Sequence, residues 1–184
     1  MLARIFYYPT LGANILMSSF TSRGWYNRID DTVIVGALPF KSTTSRLIDQ
    51  ENVSAMVTMN ENWELRYLCY NHTELSALGV DQLHLATTDL TGTPTQENIS
   101  SAVDFIMAHR QQGHSVYVHC KAGRTRSVTV AVCYLMQLHK WTPEESLAFV
   151  KDKRPHVWLR SKQLASVQAY YDSFIKPSRS SGIL

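Results

Sequence analysis

The sequence predicts an α/β fold, a central mixed sheet flanked by helices. Three observations point there. Short β-branched runs alternate with segments of helical period, no segment repeats, and no linker-like stretch interrupts residues 25–176. The chain has 184 residues, 45% of them hydrophobic, enough for one domain with a real core and too apolar for a disordered or collagen-like chain.

Taken in order, Thr32 to Pro39 reads as a short buried strand ended by its proline. Ser42 to Gln50 is a helix with Leu47 and Ile48 inward, and Ala55 to Met59 is an apolar run of strand length. Val80 to Leu85 alternates as a half-buried strand. Thr95 caps a helix in which Ile99, Ala102, Val103 and Ile106 share one face, and Gly113 follows its last turn. Ser115 to His119 is a strand aimed at Cys120, and Ser127 to His139 is a hydrophobic helix buried on most sides. Thr142-Pro-Glu-Glu145 is a capping box opening a helix that stops before Pro155, and Ser161 to Ile175 closes the domain as an amphipathic helix.

The net charge of +3 is unevenly spread. Residues 1–29 hold Arg4, Arg23 and Arg28 with no acid, residues 151–184 hold seven basic groups against Asp152 and Asp172, and the middle is net acidic. A nucleic-acid binder would carry a basic stripe across its body, which is lacking, so no nucleic-acid partner is expected. The basic ends suit an anionic surface such as a membrane. Residues 1–24 are hydroxyl-rich and acid-free, with an apolar stretch from Ile5 to Met17 broken by Pro9 and Gly12; they read as a targeting or membrane-associating segment. Residues 177–184 read as a tail. No apolar run approaches the roughly 18–20 residues that span a bilayer. Three cysteines, Cys69, Cys120 and Cys133, are too few for a disulfide scaffold and fit a reducing compartment.

The chemistry sits in Val118-His-Cys-Lys-Ala-Gly-Arg-Thr-Arg-Ser127, between a strand and a helix. Backbone amides that converge at a helix N-terminus make an anion site. Ala122 and Gly123 allow the tight curl, Cys120 stands at the mouth, and Arg126 offers a planar fork for two phosphate oxygens. A cysteine so placed has its pKa lowered and serves as a thiolate nucleophile. The bland alternative, a small buried hydrophobe, suits Cys133 and Cys69, but no core loop gains from Lys121, Arg124 and Arg126 gathered around Cys120. His119 and Cys120 lack the paired spacing of a zinc site, so neither metal nor other cofactor is expected.

His119-Cys120 through Arg126-Ser127 matches the HCx5R[ST] signature of the cysteine-dependent protein tyrosine phosphatase superfamily, and the chain resembles its dual-specificity branch. The resemblance implies a phosphocysteine mechanism with Cys120 as nucleophile, Arg126 as phosphate clamp and Ser127 bonded to the sulfur. Lys121, Ala122, Gly123, Arg124 and Thr125 would line the phosphate site, and His119 would orient the loop. The Thr87 to Pro94 stretch is similar to that branch's general-acid loop, which implies Asp89 as the proton donor. Asp81 is the competitor, but its alternating neighbours put it on a strand. Within the branch, Trp25 to Asp30, Gly36 to Pro39 and His139 to Glu145 resemble the phosphatidylglycerophosphate phosphatases of cardiolipin synthesis. Met59-Asn-Glu-Asn-Trp-Glu64 is similar to their acidic loop beside the active site, with Asn62 for a glutamate and Trp63 for a tyrosine. The resemblance thus implies substrate contacts from Glu61 and Glu64, a phospholipid substrate, a monomer, peripheral membrane association, and the matrix side of the mitochondrial inner membrane. A protein phosphatase, a phosphoinositide phosphatase and a catalytically silent phosphate-binding module are the alternatives.

Overall fold

The computed structural model describes residues 2–21, 23–89 and 92–176. Its strands are β1 (Tyr26–Arg28), β2 (Val33–Gly36), β3 (Val53–Thr58), β4 (Asp81–His84) and β5 (Ser115–His119). Its helices are α1 (Leu2–Phe20), α2 (Lys41–Glu51), α3 (Asn62–Leu65), α4 (His72–Ala77), α5 (Gln96–Gln111), α6 (Arg126–His139), α7 (Pro143–Lys153) and α8 (Ser161–Tyr170). The strands form one sheet in the order β1-β2-β5-β3-β4, with β1 antiparallel to β2 and the other pairs parallel. The sheet is mixed, as the alternation of strands and helices predicts.

The two-residue period of the strands divides the core. Val33, Val35, Ala55, Val57, Val116 and Val118 pack with Ile99, Val103 and Ile106 of α5 and with the buried length of α6. Ile34, Met56 and Tyr117 face the other way, against Leu47 of α2 and Leu75 of α4. Helices therefore cover both faces, and β5 lies at the centre. His119, its last residue, is in register with Gly36 of β2 and Thr58 of β3, so three loops leave the sheet at one level. Ligands in open α/β sheets bind at this carboxyl edge.

The predicted caps are present. Thr95 Oγ1 accepts from the Asn98 amide at 3.2 Å, and Thr142 and Glu145 close their box with bonds of 2.7 and 3.3 Å. The expected final helix ends at Tyr170, after which Tyr171–Ile175 form a wider π turn. β1, α3 and α4 are additions to the expected elements.

The N-terminal segment departs most from expectation. Pro9 and Gly12 do not break it: α1 runs from Leu2 to Phe20, with Pro9 inside. Proline removes one helical hydrogen bond, and tertiary packing compensates. Tyr7 and Leu11 are buried against Leu38 and Cys69, with Trp25, Phe40 and Trp63 around them. Tyr7 and Leu11 thus pack α1 on the body. No described helix is long and apolar enough to cross a membrane. The expected tail, 177–184, lies outside the described residues, as do positions 90 and 91 of the expected acid loop.

Candidate active site

Cys120 follows β5 directly, and α6 begins six residues later, so a tight loop must join the central strand to the buried helix. Gly123 makes that curl possible. Its φ is +62°, and a Cβ there would stand 2.5 Å from the Gly36 carbonyl carbon and 2.7 Å from the Arg154 guanidinium. The loop is braced from outside: Leu38 donates its amide to the Lys121 carbonyl at 3.2 Å, and Trp158 donates its amide to the Arg124 carbonyl at 3.0 Å.

Arg154 braces it from behind. It is 1% exposed, and it donates to the carbonyls of Gly123 at 2.7 Å and Ala122 at 3.3 Å and to Asn27 Oδ1 at 2.5 Å. Burial pulls its pKa down to about 10, which leaves it charged at neutral pH. Sequence reasoning missed this residue, which ends the run Lys151-Asp-Lys-Arg154 at the close of α7.

Cys120 is 3% exposed, with its sulfur 3.3 Å from Ser127 Oγ. Burial alone would raise the thiol. The Arg126 charge, the Ser127 hydroxyl and the backbone amides of Ser127 and Arg124 outweigh it and hold the pKa below the ordinary thiol range. The other cysteines behave oppositely: burial pushes Cys69 up to about 12 and Cys133 higher still, so both remain inert thiols. His119 donates or accepts at 3.0 Å with Thr58 Oγ1, and burial, then the Arg126 and His84 charges, push its pKa down to about 3. It is a neutral spacer beneath the loop.

Arg126 is 3% exposed, and both of its terminal nitrogens are hydrogen-bonded to the protein. Its Nη1 donates to Glu64 Oε1 at 3.0 Å, to the Thr87 carbonyl at 2.7 Å and to the Met59 carbonyl at 3.3 Å. Its Nη2 donates to Glu64 Oε2 at 3.2 Å and to Asp89 Oδ1 at 2.9 Å. The guanidinium is thereby aimed by the loops that follow β3 and β4. Asp89 is 7% exposed, and its second oxygen pairs with the Lys121 ammonium. Asp89 thus lines the same cavity as Cys120, paired with both cations, whereas Asp81 is exposed on β4, facing His109.

Glu61 and Glu64 were expected among the substrate contacts, and the structure puts neither in the cavity. Glu64 is 1% exposed, lies behind Arg126 and also accepts from Asn60 Nδ2 at 2.6 Å and the Glu61 amide at 2.9 Å. Glu61 opens α3 as its N-cap. Glu64 is therefore an internal brace, its carboxylate paired with the buried guanidinium and out of solvent.

The cavity over Cys120 has a volume of about 440 Å³. Lys121, Ala122, Arg124, Thr125 and Arg126 form its floor, Asp89 and Gly92 one side, and Arg23, Trp158 and Arg160 its rim. Thr10, Ala13, Asn14 and Met17 of α1 form a further wall, which sequence reasoning had not foreseen. A nucleophile with a lowered pKa, a fixed guanidinium and a carboxyl group around one anion cradle are equipped for attack at phosphorus.

The chain is similar to known phosphatases. Residues 41–173 match the family described as dual specificity phosphatase, catalytic domain. The chain is 43% identical over 173 residues to the human phosphatidylglycerophosphatase and protein-tyrosine phosphatase 1, covering 92% of this chain and 86% of that protein. It is 36% identical over 170 residues to the Arabidopsis thaliana phosphatidylglycerophosphate phosphatase PTPMT1, of which it spans 49%. A crystal structure of PTPMT1 in complex with PI(5)P superposes with a TM-score of 0.81 at 42% identity, over 84% of this chain and 99% of that one. On the family match over residues 41–173 and these similarities, the chain belongs to the dual-specificity phosphatases and is a cysteine-dependent phosphatase.

Proposed function

We propose that the protein removes the terminal phosphomonoester of phosphatidylglycerophosphate at a membrane surface. The observation that carries this is the surplus of cations around the cavity. Arg126 serves the transferred phosphate, and Lys121 is matched by Asp89, but Arg23, Arg124 and Arg160 have no ion-pairing carboxylate among the described residues. Burial and then the nearby Arg23 charge lower the pKa of Arg124, which means that the two guanidiniums are close enough to repel. A lipid with a second, diester phosphate would relieve that repulsion. The similarity to phosphatidylglycerophosphatases over 92% of the chain argues the same way.

In the reaction, the Cys120 thiolate attacks phosphorus while the ester P–O bond breaks, and the carboxyl group of Asp89 gives its proton to the departing glycerol oxygen. The phosphocysteine is then attacked by water. Asp89 takes the water's proton, the S–P bond breaks and inorganic phosphate leaves with the thiolate restored. Arg126 and the loop amides hold the equatorial oxygens throughout. The substrate dianion competes with Asp89 for Arg126, while Lys121 keeps its bond to the second oxygen of Asp89.

Membrane association belongs to the same proposal. Along α1, Leu16 is 59% exposed and Phe20 is 84% exposed, opposite the buried Tyr7 and Leu11 and beside the face that lines the cavity. Apolar side chains at the mouth of a lipid site suit an interfacial helix. The matrix face of the mitochondrial inner membrane is the proposed location, in keeping with the acid-free, arginine-bearing residues 1–29.

Phosphate release from phosphatidylglycerophosphate in mixed micelles, set against a phosphotyrosine peptide and phosphoinositides, tests the reading. The first substrate is expected to give the highest kcat/KM, with turnover abolished in Cys120→Ser. A preference for the peptide would make the protein a phosphoprotein phosphatase, and binding without turnover a silent module.

A further inference from the structure

We propose that α1 is part of the catalytic apparatus and that Thr10 and Tyr7 are positioning residues for the general acid, acting through Lys121. The inference rests on Asp89 as the proton donor. The Lys121 ammonium donates to Thr10 Oγ1 at 2.9 Å and to Asp89 Oδ2, and it lies 5.2 Å from the centre of the Tyr7 ring. An ammonium on a four-carbon stem is mobile unless several partners fix it. Here α1 supplies two of them.

The hydrogen bonds run in one direction. Thr10 donates its hydroxyl proton to the Tyr7 carbonyl at 3.1 Å, which turns its lone pairs toward Lys121, and Lys121 in turn donates to Asp89. α1 is itself seated on the acidic segment that aims Arg126. The Tyr7 hydroxyl donates to the Glu64 carbonyl at 3.3 Å, and the Tyr7 ring meets the Trp63 ring edge to face at 4.8 Å. Trp63 stands where the related acidic loop carries a tyrosine, and it gives α1 a broad ring to rest on. The helix thus connects the segment behind Arg126 to the lysine beside Asp89.

The test uses the full chain and two soluble substrates, an alkyl phosphate with a poor leaving group and p-nitrophenyl phosphate with a good one, so that it does not depend on which lipid is hydrolysed. Thr10→Val is expected to lower kcat on the alkyl phosphate by about 3- to 10-fold, the size of one net hydrogen bond. KM should stay unchanged, and p-nitrophenyl phosphate should be barely affected. Thr10→Ser should restore the rate. In a Lys121→Met background, Thr10→Val should have no further effect. Equal losses on both substrates, a rise in KM alone, or a loss that persists without Lys121 would overturn the inference. Asp89→Asn in the same assay separates the two readings. If it shows no dependence on the leaving group, the general-acid assignment falls and the inference with it; if it does and Thr10→Val does not, only the inference falls.

Discussion

Glu64 accepts from both terminal nitrogens of Arg126, at 3.0 and 3.2 Å, and its side chain has no contact with solvent. The pair joins α3 to the first turn of α6, so the phosphate clamp is oriented by a segment 62 residues away in sequence. A guanidinium held this way keeps one orientation, and an anion can gain Nη2 only by displacing Asp89 from it.

Glu64→Ala is therefore expected to damage both stability and catalysis. Removing one partner of a buried ion pair costs about 3–5 kcal/mol, which corresponds to a fall in Tm on the order of 10 °C for a domain of this size. Scanning calorimetry measures the first effect. Steady-state kinetics should show kcat/KM reduced by at least about 100-fold, the order lost when a transition-state donor is misplaced. A variant as stable and active as the parent would mean that Asp89 and the carbonyls of Thr87 and Met59 suffice to hold Arg126.

Ser127 gives a prediction with a sign. Its hydroxyl and amide stabilise the charged form of Cys120, against a burial penalty that favours the neutral thiol. Removing the hydroxyl in Ser127→Ala weakens the charged form, so the thiolate should appear at higher pH. The alkylation rate of Cys120 by iodoacetamide, followed against pH, should keep its shape and shift upward. The acidic limb of kcat/KM should move the same way, because activity rises with pH as the thiolate forms. An unshifted alkylation profile would remove Ser127 from the set of groups that hold the thiolate.

The loop and its neighbours differ in how far the sequence discloses them. Cys120, Arg126 and Ser127 lie within one stretch, and the flanking β-branched run and apolar helix announce a strand, a turn and a helix; local pattern suffices there. Glu64 and Arg154 reach the same loop from distant segments, and nothing local to either marks its partner, since a charged residue in a loop ordinarily faces water. α1 was hidden for a different reason. Pro9 and Gly12 are helix breakers by propensity, and it is the burial of Tyr7 and Leu11 against Leu38 that overrides them.

The outer side of α1 is testable without touching the cavity. Leu16 and Phe20 project to solvent and are absent from the cavity wall. Burying each in an interface would contribute about 1.5–3 kcal/mol, so Leu16→Asp combined with Phe20→Asp should weaken sedimentation with phosphatidylglycerol-containing vesicles by at least about tenfold. Turnover of p-nitrophenyl phosphate in solution should remain at the parent level. Unchanged vesicle binding would move the membrane contact to another surface.

The proposed general acid, Asp89, gives a prediction about the leaving group. Its carboxyl lies between Lys121 and Arg126, beside the cysteine, and no other carboxylate lines the cavity among the described residues. A glycerol alkoxide leaves only if it is protonated as the P–O bond breaks, whereas p-nitrophenolate leaves unaided. General acid assistance contributes roughly 10²–10⁴-fold. Asp89→Asn should lose rate of that order on phosphatidylglycerophosphate and much less on p-nitrophenyl phosphate. The alkaline limb of the pH profile, which reports the group that must be protonated, should flatten in the variant on the lipid substrate. The acidic limb, set by the Cys120 thiolate and the second ionisation of the substrate, should remain. An alkaline limb that survives in Asp89→Asn, together with equal losses on both substrates, would make Asp89 an anchor for Lys121 and Arg126 only. The proton would then have to come from outside the set Asp81, Glu61 and Glu64, since Asp81 is exposed on β4 and neither glutamate lines the cavity.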